Sequence, residues 1–169
     1  LGSLPADLRI VEMEDQTLQF GDILMTWEEQ VYHPGGCLRF RLDFGGKRIV
    51  YSSDVELNQA FGKDYPTDEE KQQAQNYLKF IQGADLVIGD GQYTAEQYPS
   101  KVTWGHTSME LLMEIAHRSG VKRLAIFHHD PDHSDQTIDA LWNQYAPMYG
   151  QAQPPMQVFW AREGMSVPV

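Results

Sequence analysis

Four predicted strands in this 169-residue chain each lead into an imidazole or a carboxylate. "EEQVY" runs into His33, "IVYSS" into Asp54, "DLVIG" into Asp90 and "RLAIF" into His128. Runs of about five residues rich in Val, Ile and Leu are too short for helices and read as buried strands. When helices separate such strands, the residues just past the strands' carboxyl ends meet in one crevice, because rigid strands aim distant sequence at one place. This pattern limits the chain to an α/β fold with its polar centre at one edge of a sheet.

The rest of the chain fits that alternation. "LRIVEM" (8–13) and "DILMTWEEQVY" (22–32) read as strands. "CLRFRLDF" (37–44) alternates strictly, putting Leu38, Phe40, Leu42 and Phe44 on one face, and "GGKR" reads as a turn into "IVYSS". Residues 55–66 read as loop. Thr67 with Glu70 is a capping-box signature for a helix to about Ile81, and Thr107 with Glu110 repeats it for a helix that Gly120 ends. Leu111, Leu112, Ile115 and Ala116 form the apolar stripe of that second helix. Ser134 opens a third helix to about Tyr145, and "MQVFWA" (156–161) closes the chain as a strand.

Composition excludes several classes. A hydrophobic content of 41% with 22% charged residues is that of an ordinary globular domain, and no apolar run approaches a membrane span. Cys37 is alone, so there is no internal disulfide, and a reducing, cytoplasmic setting is expected. The net charge of −11 leaves no basic field for an extended nucleic acid. Phosphate chemistry here calls for a small substrate, or for metals that supply positive charge locally.

Each strand-end residue has an ordinary reading as a turn or cap residue when taken singly. His117 shares the outer helix face with Glu110 and Glu114 and reads as solvated surface. His129, alternating with His128, reads as a supporting or structural residue rather than a ligand. Together, two imidazoles and a carboxylate match the ligand types of zinc, manganese or iron.

The order of these elements carries a resemblance. "VYHPGGCLRFRLDFGGKRIVYSSDVE", "ADLVIGDGQY" and "WGHTSMELLMEIAHRSGVKRLAIFHHDPDH" resemble the second half of a metallo-β-lactamase-fold hydrolase, in the branch of ribonuclease Z and cyclic-phosphate phosphodiesterases. The likeness runs from about residue 8 to 161. It implies half of an αββα sandwich, a mixed β-sheet flanked by helices. It also implies that His33 binds one metal, Asp54 bridges two and His128 binds the second. His106, from the family's "H-T-S" element, is then the phosphate-contacting proton donor, with Thr107 beside it in substrate binding and helix capping. Asp90, followed by Gly91, and His129 are expected to support these groups. The implied cofactors are two divalent metals, zinc first, with manganese or iron as alternatives.

The family's H-x-H-x-D-H ligand block is nowhere in these residues. Leu1 to Ser3 read as a cleavage scar from an expression vector, leaving 4–169 as the carboxy-terminal half of the domain. The expectation is a two-metal phosphodiester hydrolase of which this chain carries part of the site and is inactive alone. A missing amino-terminal half, or a second copy in a dimer, would cover the other sheet face. The rival readings are a non-catalytic binding module on the same scaffold and a carboxylic ester or lactone hydrolase.

Overall fold

The computed structural model describes residues 12, 15–30, 32–62 and 64–169. The strand expected over 8–13 falls outside the described residues except for Glu12. The elements run β1 (Thr17–Phe20), β2 (Ile23–Gln30), β3 (Cys37–Phe44), β4 (Lys47–Ser52), α1 (Asn58–Phe61), α2 (Asp68–Ile81), β5 (Leu86–Asp90), α3 (Met109–Arg118), β6 (Arg123–Phe127), α4 (Asp135–Gly150) and β7 (Gln157–Trp160). Gly45 and Gly46 join β3 to β4 with φ of 54° and 73°, the left-handed conformation a two-residue hairpin turn needs. Lys47 and Arg48 therefore open β4 and are not part of the turn. The short helix α1 lies in the stretch read as loop, and α4 continues to Gly150 with Pro147 inside it, five residues beyond the expected end at Tyr145.

The strands form one mixed sheet whose spatial order is the sequence order. β1 to β4 pair antiparallel, and β4 to β7 pair parallel. Each parallel step moves the same way across the sheet, and right-handed crossovers then place the connecting helices on one face. The main core shows this arrangement. Val50, Val87, Leu124, Ile126 and Val158 pack there with Tyr77, Phe80 and Ile81 of α2, and with Met109, Leu112 and Met113 of α3. Ile138, Leu141 and Trp142 of α4 lie against the same cluster. The capping box of α2 is formed by Thr67 and Glu70 as the sequence predicts.

On the opposite face stand Phe40, Leu42, Ile49, Tyr51 and Ile88, brought into line by the register. All are half-buried or exposed. A smaller cluster of Leu86, Ala125 and Phe159 lies there too, with Val167 of the terminal segment and Trp142 of α4 against it, so Trp142 touches both clusters. No described helix covers the β2–β4 part of this face, and Phe20 at its margin is 74% exposed.

The seam between α3 and the sheet is tightly packed. A Cβ on Gly89 would lie 3.1 Å from both δ-methyls of Leu112. One on Gly91 would lie 2.8 Å from Ile126 Cγ2 and 3.2 Å from Met109 Cβ. Glycine at these positions lets α3 begin directly over the end of β5. Gly91→Ala is expected to destabilise the fold by about 1–3 kcal/mol through overpacking. A urea midpoint shift measured by circular dichroism checks it, and an unchanged midpoint would contradict the close-packed seam.

Candidate functional site

β2 and β4 both run antiparallel to β3, and β5 and β6 run parallel to β4, so the carboxyl ends of all four strands reach the same edge. There the β2–β3 connection carries His33, the end of β4 leads to Asp54, β5 ends on Asp90 and β6 leads to His128. Gln30, buried at the end of β2, donates from Nε2 to the carbonyls of Ser53 (3.2 Å) and Asp54 (3.3 Å), fixing the backbone that presents the Asp54 carboxylate. Tyr77 of α2 donates to Ser52 Oγ at 3.0 Å, and burial pushes its phenol up to about 12.

Four of the predicted residues come together. Asp54 Oδ2 is 3.8 Å from His33 Nε2, and Asp54 Oδ1 is 3.6 Å from His128 Nδ1, so its two oxygens face two different imidazoles. Asp54, His106 and His128 each place one ligand-type atom within 4.8 Å of the others. The His106 and His128 rings stack at 4.6 Å, and the His33 ring meets His106 edge-on at 5.7 Å. His128 reaches this position with φ at 59°, an unusual conformation for a residue with a side chain. It ends the strand there, so the simple alternation that set His129 opposite His128 does not apply. His129 instead bonds the carbonyl of Ala161 through Nε2 at 2.8 Å, joining the segments that follow β6 and β7.

The donor set suits divalent cations. Two ligands each about 2.1 Å from a tetrahedral metal lie about 3.4 Å apart. The 3.6 and 3.8 Å separations are too long for hydrogen bonds and close to that spacing. The buried Nδ1 of His33 also has no hydrogen-bond partner.

Asp90 holds His106. Its Oδ2 lies 2.9 Å from His106 Nδ1 and also accepts from Val55 N (3.2 Å), while Oδ1 accepts from Gln92 N (3.2 Å). Burial drives the Asp90 carboxyl above its ordinary pKa, against the pull of His106. For His106, burial acts downward, but the Asp90 bond and charge, with Asp54 and Glu56 beyond, carry it upward overall. An imidazole held by one nitrogen and inclined to keep its proton can donate from the other.

Thr107 has a different place from the one the capping-box pattern gives it. The N-cap of α3 is Ser108, with no side-chain cap bond, and Glu110 accepts from Ala95 N and Tyr145 OH. Thr107 is fully buried. Its hydroxyl donates to the carbonyl of Val55 and accepts from Leu57 N at 2.9 Å, tying the segment after Asp54 to the segment of His106. Asp90 thus orients the His106 ring while Thr107 anchors its backbone. His117 is half-buried, bonded to the Pro154 carbonyl and set against Tyr149, and so is less solvated than its helix-face pattern suggests.

The sequence reading missed Glu56. It is 2% exposed, and its carboxyl accepts from Tyr98 OH (2.6 Å), Thr103 N (2.8 Å), Gly105 N (3.0 Å) and Gln59 Nε2 (3.1 Å). Two residues past Asp54, in a stretch read as loop, it looks like a solvated acid. Three of its four donors come from the folded loop 98–105.

Solved structures share this architecture. YhfI, a metallo-β-lactamase fold protein of Bacillus subtilis, superposes with a TM-score of 0.63 over 92% of this chain and 54% of its own, at 21% identity. The fold is that of the metallo-β-lactamases. Human tRNase Z, short form, matches with a TM-score of 0.58 over 94% of this chain and 49% of its own, at 14% identity. Among curated proteins, the ribonuclease Z of Brevibacillus brevis is 28% identical over 94 residues, which are 56% of this chain and 24% of that protein. The ribonuclease Z of Saccharolobus islandicus is 35% identical over 63 residues, 37% of this chain and 21% of that protein. No protein-family model matches. The metallo-β-lactamase-fold chain described here thus corresponds to about half the length of the solved structures and under a quarter of the curated relatives.

Glu56→Ala leaves the amides of Thr103 and Gly105 without their acceptor. It is expected to cost about 2–4 kcal/mol and to speed exchange at those two amides, with Glu56→Gln intermediate. Hydrogen exchange followed by NMR checks this, and unchanged protection at Gly105 would contradict the clamp.

Proposed function

We propose that this chain carries part of the site of a two-metal phosphodiester hydrolase. The observation that supports it most is the convergence of Asp54, His106 and His128 within 4.8 Å, at the sheet edge where His33 and Asp90 also arrive. The likeness to two ribonucleases Z points to the same bond. His33, Asp54 and His128 would hold divalent metals, zinc first and manganese or iron as alternatives. Bound metals would supply the positive charge and activated water that such hydrolysis uses. Asp54 suits a bridging place, because its two oxygens already face different imidazoles. Asp90 holds the Nδ1 side of His106, so His106 can present its other nitrogen to the phosphate and donate a proton to the leaving alkoxide. Thr107 contributes by fixing the backbone of that residue. The substrate is a small phosphodiester rather than an extended nucleic acid, in keeping with a net charge of −11.

His33, Asp54 and His128 are three ligands shared between two metal positions, fewer than either position needs to hold zinc firmly. The remaining ligands come from a complementary segment bearing the H-x-H-x-D-H block or from a second copy, seated on the open sheet face. Apolar burial is worth roughly 25 cal/mol per Å², so covering several hundred Å² of that face would stabilise the assembly by many kcal/mol.

Zinc titration of the chain, followed by calorimetry, tests the ligand assignment. Fewer than two tightly held ions per chain are expected, with the residual binding lost in Asp54→Ala. Two tightly held ions would overturn the shared-site reading. Once the site is completed, Asp54→Ala is expected to abolish hydrolysis of bis(p-nitrophenyl) phosphate. His106→Ala should lower it by about 10²–10⁴-fold with metal content intact. Loss of metal in His106→Ala would make His106 a ligand instead. Turnover of p-nitrophenyl acetate alone would favour the ester hydrolase reading. Sedimentation is expected to give a species heavier than 19.3 kDa, and a clean monomer would count against the open face as an assembly surface.

A further inference from the structure

The loop that leads into His106 carries an exposed indole with a cation on it. Trp104 is 56% exposed, and Lys101 Nζ lies 4.1 Å from the centroid of its ring. More than half of the residue's surface meets solvent. The loop is nevertheless held in an uncommon conformation. Thr103 has φ at 73° and Gly105 at 91°, and the buried carboxyl of Glu56 accepts from the amide on each side of Trp104. Trp104 N also donates to the carbonyl of Lys101 at 3.1 Å. A backbone held in a sparsely populated region, together with a large apolar side chain turned to solvent, is the kind of local cost that functional positions carry.

The position of Trp104 relative to the candidate site gives that cost a purpose. Gly105, its neighbour, packs so closely on His33 that a Cβ would lie 2.8 Å from the imidazole Cδ2, and the next residue is His106. Ring contacts connect the two places. His106 stacks on His128 at 4.6 Å and meets Tyr93 at 6.1 Å, and Lys101 stands over both the Tyr93 ring (5.6 Å) and the Trp104 ring. The imidazole proposed to contact phosphate, a cation and a flat exposed aromatic surface thus follow one another along one loop.

We propose that Trp104 and Lys101 form a platform for a nucleobase, so that the substrate of the neighbouring site is a nucleotide-type phosphodiester whose base stacks on the Trp104 indole. The proposal rests on the phosphodiesterase reading for its phosphate half. Stacking on an indole tolerates every base, because each has a π-face, and the Lys101 ammonium adds a charge that favours the anionic end of the same ligand. A nucleoside phosphate carries its base one sugar away from its phosphate, which suits a stacking surface two residues from His106.

Three probes in zinc-containing buffer separate the two halves of the idea: AMP, ribose 5-phosphate and adenosine, each titrated by NMR while the tryptophan indole signals are followed. AMP is expected to bind about tenfold or more tighter than ribose 5-phosphate and to shift the Trp104 indole. That preference should vanish in Trp104→Ala and survive in Trp104→Phe, with thermal midpoints unchanged for this exposed position. Lys101→Ala should weaken AMP more than adenosine. Equal binding of AMP and ribose 5-phosphate, with both lost in His106→Ala, would overturn the platform and leave the phosphodiesterase reading standing. Adenosine binding at Trp104 as tightly as AMP would keep the platform and overturn its link to a phosphate site. A preference for AMP that persists in Trp104→Ala, or no binding by any probe, would overturn the proposal.

Discussion

The buried carboxyl of Asp90 is the interaction on which the rest of the site depends. A carboxyl with no exposure at the end of a central strand has to find donors, because an unpaired polar group there would cost several kcal/mol. It takes them from three separate places: Val55 N beyond β4, Gln92 N beyond its own strand and the His106 ring ahead of α3. Meeting that single need fixes the segment after Asp54 against the segment of His106. The His106 ring then lies stacked on His128 and edge-on to His33. Thr107 and Glu56 repeat the tie with a hydroxyl and a second buried carboxyl.

The sheet makes that convergence possible. Its strands lie in sequence order, and the parallel half carries its helices on one face. One face is therefore a core while the other is half-open at β2 to β4. The same topology brings four carboxyl ends to one edge, so the polar centre and the apolar opening have a common cause. Glycines 89 and 91 allow α3 to settle against β5 and β6 closely enough to set His106 over the end of β5.

Much of this was legible in the chain. Strand patterns leading into His33, Asp54, Asp90 and His128 located the strands and the residues beyond them, and Thr67 with Glu70 marked a capping box that forms. The same signature at Thr107 and Glu110 did not form one. Thr107 found stronger partners in Val55 and Leu57, and Glu110 found Ala95 and Tyr145, so tertiary bonds displaced a local motif. Glu56 could not be read at all, since an acid in a stretch read as loop carries no local sign of burial.

The sequence by itself determined the α/β alternation, the face shared by Leu38, Phe40, Leu42 and Phe44, and the strand-end residues, because periodicity and residue type act over a few neighbouring positions. Only the tertiary structure decided which oxygen of Asp54 faces which imidazole, that Asp90 orients His106, and that His128 leaves its strand with a positive φ. It also decided that Glu56 holds the loop presenting Trp104. Those arrangements join residues 16 to 74 positions apart. They arise from satisfying buried polar groups across the fold, which no local pattern encodes.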